Sequence, residues 1–181
     1  MLKAERLRLK AECITAKFFV QNSIMKTATI SEIKQELQSL APGRLVELCL
    51  RLGRFKKENK ELLTYLLFES ANEEVYISSV KLLMDEGFAE LPKSNFYLTK
   101  KSLRKILRVT NKYIKYTSSK QAEAELLIYF CKLFRQLGIP LNKSNTMANL
   151  YQQQLKKIHA ALDTLHEDLQ HDFAGQIAEI S

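Results

Sequence analysis

The stretch Thr99–Thr117 constrains the fold more than any other. Placed on a helix at about 100° per residue, it separates into two faces. Lys101, Arg104, Lys105, Arg108, Lys112 and Lys115 share one sector, and Leu103, Ile106, Leu107, Thr110, Tyr113, Ile114 and Thr117 take the opposite side. Such a segment sets one face in a core and the other in water. From Leu91 to Lys120 there are nine Lys or Arg and no acid. The whole chain carries only +8, so everything outside this stretch nets −1.

Helix breakers are scarce, with five Gly and three Pro in 181 residues, which favours long helices. Thr29 and Glu32 have capping-box spacing ahead of the Ile33, Leu37, Leu40 stripe, and Pro42-Gly43 is read as its end. Arg44–Phe55 is apolar over much of its surface and is expected to be central. Glu61–Glu69 is a third helix dense in Leu. Asn72 caps a fourth, with Gly87 as its left-handed stop. After the basic helix, Ser118 or Ser119 caps a segment closed by Gly138 and Pro140. A last helix from Ser144 or Asn145 carries Tyr151, Leu155, Ile158, Leu162, Leu165 and Leu169 in steps of four and three. That seam suits antiparallel packing within a bundle or a homodimer. Gly175–Ser181 is expected to fray.

These signals predict an all-α fold, an irregular bundle or short solenoid-like stack of six to seven helices. Met25-Lys26 reads as a natural start. Residues 1–24 then form an N-terminal extension and 25–181 a single domain. The expected core is Leu37, Leu48, Cys49, Leu52, Leu63, Leu66, Leu67, Leu107, Ile114, Leu126, Phe130, Leu133, Leu155 and Leu162. One internal echo, Glu61–Tyr65 against Glu125–Tyr129, suggests a duplicated helix pair. The spacing Ile33 to Leu37, Leu45 to Leu52, then Lys57-Glu58-Asn59-Lys60-Glu61 leading into Tyr65-Leu66-Leu67, resembles an uncharacterised bacterial family of small all-helical proteins, as do the Tyr129-Phe130 helix and the terminal helix. The resemblance implies a bacterial, cytoplasmic, all-α protein and brings no catalytic residue.

Chemistry is sparse. Cys13, Cys49 and Cys131 are far apart and read as reduced, buried thiols. No apolar run approaches the ~18 residues of a membrane span. The glycines are scattered, so no phosphate loop forms, and no Gly-x-Ser-x-Gly elbow is present. His159, Asp163 and His166 at i, i+4, i+7 are a weak metal candidate, against a solvated helix flank. No cofactor is implied and no positive case for an enzyme emerges.

The cationic face is the feature above background. Its six residues cover about 21 Å of helix. It can meet nucleic-acid phosphates, with Tyr97 or Tyr116 for stacking, or an acidic protein partner. It can equally be neutralised internally, since Glu69–Glu90 and Asp163–Ser181 each net −5. The reading is a non-enzymatic protein–protein interaction module, with nucleic-acid binding through helix 99–117 as the alternative.

Overall fold

The computed structural model describes residues 27–92, 95–139 and 144–180. The readings made of residues 1–24, of Cys13 and of Pro140 lie outside them. All regular structure among the described residues is helical, with no strand. No described helix is long and apolar enough to cross a membrane. The chain divides into two compact units at Leu52/Gly53.

The first unit holds helix α1 (Ile30–Ser39) and most of α2 (Pro42–Phe55). The Thr29 capping box forms in full. α1 stops at Ser39, ahead of Pro42, and Pro42 itself opens α2, where its missing N–H costs nothing. No residue of α1 or α2 is buried. Leu37 is 38% exposed, Leu52 59%, Leu48 is half-buried and Cys49 is exposed, so these four are not core. Two short amphipathic helices have too little bulk to enclose a side chain. The centrality expected of Arg44–Phe55 is not observed.

In the second unit, α3 (Lys57–Thr64) runs into a π turn, Tyr65–Glu69, in which the Ser70 N–H donates to the Tyr65 carbonyl at 2.8 Å. The π turn sends Tyr65 inward, while Leu66, Leu67 and Phe68 face solvent and Leu63 is half-buried. The core expected at Leu66 and Leu67 is therefore corrected to Tyr65. There follow α4 (Glu73–Ala89), α5 (Phe96–Thr117), α6 (Lys120–Gln136), α7 (Asn145–Leu162) and α8 (Glu167–Ile180).

The hub is α6, which packs against α4, α5, α7 and α8. Ala122, Ala124, Leu126, Leu127, Ile128, Phe130, Cys131 and Phe134 are buried along it, well over half its circumference. An aromatic spine crosses the helices here, with Phe88–Phe130, Phe130–Phe134 and Phe134–Tyr151 centroids 5.5, 6.2 and 5.3 Å apart. Gly87 is not a left-handed stop, because only Gly138 among the described glycines has positive φ. It lies inside α4, where an added Cβ would sit 2.9 Å from Ile106 Cγ1, so it sets the approach of α4 to α5.

There are eight α-helices among the described residues, one more than expected, because the terminal seam is interrupted. After Leu162, Thr164 Oγ1 donates to the Ala161 carbonyl at 2.6 Å, and the Thr164 and Leu165 amides close i−3 turns. A threonine bonding back to the preceding turn competes with helix continuation. Tyr151, Ile158 and Leu162 are buried and Leu155, Leu165 and Leu169 half-buried, within the fold. The end expected to fray is helical to Ile180, which is fully buried and accepts at its carbonyl from Tyr151 Oη at 2.5 Å.

Candidate interaction surface on α5

Asn95 caps α5 by accepting from the Leu98 amide at 3.1 Å, and Thr99 Oγ1 donates to the Pro92 carbonyl at 2.7 Å. These bonds fix the rotation of the helix. Thr99, Leu103, Leu107, Thr110 and Ile114 are buried, and Ile106, Tyr113 and Thr117 are half-buried. The opposite face carries Lys101, Arg104, Lys105, Arg108 and Lys115, all exposed. Among the described residues, no ion pair engages any of these five.

Lys112 is the exception. Its ammonium donates to Glu61 at 2.7 Å and sits 4.8 Å from the centre of the Tyr113 ring. The bond to Glu61 raises the lysine's pKa, and the bond from Lys112 lowers that of Glu61. Tyr116 Oη donates to the same carboxylate at 2.9 Å. Burial, then this bond, pushes the Tyr116 phenol up. Tyr116 is thus a buried linker between α3 and α5 and offers no stacking face. Tyr97, 70% exposed, does. The neutralising acid comes from neither segment suspected of it, but from Glu61 in α3.

Beside the ridge, α4 and α5 leave a cleft of about 240 Å³. Val80, Leu83, Met84, Ile106 and Val109 supply apolar walls, and Lys105 and Glu90 line it too. Leu82, Leu83 and Val109 add exposed apolar surface. Nothing in the sequence marked this cleft. The signal available was Gly87, whose missing side chain is a packing requirement and not a stop.

The metal candidate does not assemble. The helix ends at Leu162, so His159, Asp163 and His166 cannot share one helical face. His166 Nδ1 instead lies 3.2 Å from Asp168. Among the described residues no cluster of His, Cys, Asp or Glu suits a metal ion. Cys131 is buried in α6, and burial pushes its thiol up to about 12.

The echoed blocks play parallel structural roles. Glu61 takes Lys112 from α5, and Glu125 takes Lys81 from α4 at 2.6 Å. Tyr129 Oη donates to Asp85 at 2.6 Å, and burial with that bond pushes its phenol up to about 12. These groups join helices.

No family model, curated protein or solved structure matches this chain.

Proposed function

We propose that this chain is a non-enzymatic interaction protein that receives an acidic, amphipathic segment of a partner protein on the α4/α5 face. It belongs, on this reading, with the uncharacterised bacterial helical proteins that its patterning resembles, and works in the cytoplasm. The observation that carries the proposal is the juxtaposition of five exposed cations, without an ion-pair partner among the described residues, with an apolar cleft. A phosphate backbone has no use for Val80, Leu83 and Val109, whereas a helix with Leu anchors and an acidic edge satisfies both halves of the surface. Like charges along α5 repel by a few tenths of a kcal/mol per i, i+4 pair, and an acidic edge relieves that cost.

The test is fluorescence anisotropy with a three-turn peptide bearing Leu at i, i+3, i+4 and i+7 and Glu along one edge. Binding is expected, weakened both by Lys105→Glu with Arg108→Glu and by Val109→Glu. Equal binding of a peptide with the same composition in scrambled order would refute the cleft's part.

The second reading is nucleic-acid binding along the same ridge, favoured by the exposed Tyr97 ring at its N-terminal end. Five phosphate contacts give a salt slope of about −4.5 on duplex DNA. Measured at ~50 and ~200 mM salt, such a slope, with no binding of the peptide, would transfer the assignment.

A further inference from the structure

The corner where α5 passes into α6 holds a second concavity, of about 370 Å³, away from the apolar cleft. Three lysines from three helices line it: Lys115 of α5, Lys120 of α6 and Lys157 of α7. Ser118 and Ser119 line the same wall. The one carboxylate there, Glu123, is engaged by Lys120 at 2.7 Å. Lys157 reaches Asn111 Oδ1 only at 3.4 Å, a weak bond that leaves donors to spare. Lys115 has no ion-pair partner among the described residues. The wall therefore carries a net +2.

The turn itself brings these groups together. Ser118 takes the left-handed conformation, φ 53° and ψ 14°, and Ser119 caps α6 immediately, accepting from the Ala122 amide at 3.2 Å. With no spacer, the last turn of α5 lies against the first turn of α6; the two helix ends carry opposite partial charges, so the positive potential here comes from the lysines. A carboxylate would bring a single charge and two oxygens. A phosphomonoester brings between −1.5 and −2 at neutral pH and three acceptor oxygens, which match a +2 wall with three lysines. An extended polyanion of single charges suits the convex ridge better than a hollow of this size, which lies in the range of small-molecule sites.

We infer that this corner is a binding site for a phosphomonoester group on a small solute, held by Lys115, Lys120 and Lys157. It shares Lys115 with the ridge, but Lys120 and Lys157 lie outside the α4/α5 docking face, and the variant at Lys101 and Lys105 tells the two readings apart.

The experiment titrates inorganic phosphate and O-phosphoserine into the full chain at constant ionic strength. Calorimetry and phosphorus NMR line width give the readout. Saturable binding of both is expected, phosphate alone being enough if the site reads only the anion. Lys115→Gln with Lys157→Gln should weaken it about tenfold or more. Lys101→Gln with Lys105→Gln should leave it unchanged. Both targeted lysines are exposed, and circular dichroism verifies the fold of each variant. Three results overturn the assignment. One is an effect that follows ionic strength whatever the anion. Another is unchanged affinity in the Lys115/Lys157 variant. The third is a mixed-sequence oligonucleotide that outcompetes phosphoserine and shares its lysine dependence, which would give the corner to the nucleic-acid ridge.

Discussion

Replacing Glu61 with alanine isolates how α3 is fastened to α5. The carboxylate, 25% exposed, accepts from Lys112 at 2.7 Å and from Tyr116 Oη at 2.9 Å, with Lys57 at 3.8 Å and almost fully in solvent. The lysine pairs are expected to contribute little, about 0.2–1 kcal/mol together, because both ammonium groups can turn to water. Tyr116 cannot. It is buried, and its remaining contact, to the Glu58 carbonyl, is 3.4 Å long. A buried donor left without a good acceptor costs about 1–3 kcal/mol. Glu61→Ala should therefore cost about 2 kcal/mol in urea unfolding followed by tyrosine near-UV circular dichroism, the chain having no Trp. In a Tyr116→Phe background the same change should cost under about 1 kcal/mol, since the stranded hydroxyl is gone. The pH dependence has a definite sign. Lys112 and Tyr116 hold the Glu61 carboxyl below its ordinary value, so its contribution is full above the unfolded carboxylate range. It is lost as pH falls through the lower folded value. The gap between wild type and Glu61→Ala should be flat near neutrality and shrink below about pH 4.5. Equal cost in both backgrounds would show that Tyr116 is not the principal beneficiary, and a gap undiminished at pH 3 would show that the carboxylate's charge has no part in the fastening.

Other substitutions probe single features. Gln154 is buried with its Oε1 unpaired among the described residues, while its Nε2 donates to the Leu150 carbonyl at 2.9 Å. Gln154→Met should raise stability by about 1 kcal/mol, read as a rise in Tm of a few degrees. Ser118→Gly removes the Cβ from a left-handed position and should stabilise by about 0.5–1 kcal/mol, and a loss would mean the serine is held there by contacts it makes. Phe130→Ala empties the centre of the aromatic spine and should cost about 3–5 kcal/mol by denaturant titration. With a thiol reagent and peptide mapping, Cys49 should label in the native protein and Cys131 only on unfolding.

Local rules were legible where the chain bonds to itself. The capping box at Thr29, the caps at Asn72 and Ser119 and the two faces of α5 follow from residues three or four apart. What the pattern could not carry is which apolar face meets another. Leu66 and Leu67 look as core-like as Leu126 and Leu127 in sequence, yet one pair faces water and the other is fully buried. The difference lies in what packs alongside: α6 is surrounded by four helices, and the Tyr65–Glu69 turn is not. The same blindness applies to the ridge. Its outward orientation was readable, but the pairing of Lys112 with Glu61 joins residues 51 apart, and no periodicity reports that. The heptad-like seam misled differently, because Leu165 and Leu169 return to the same core after the chain has turned.

The π turn at Tyr65–Glu69 amounts to one surplus residue wound into a helix. Excising one residue there would let the segment wind as an ordinary α-helix without turning α3 aside, because the wide turn takes up the extra residue. A residue removed from within α3 has no such wide turn to absorb it and would carry the helix preceding the cut about 100° around, changing the face that reaches Lys112.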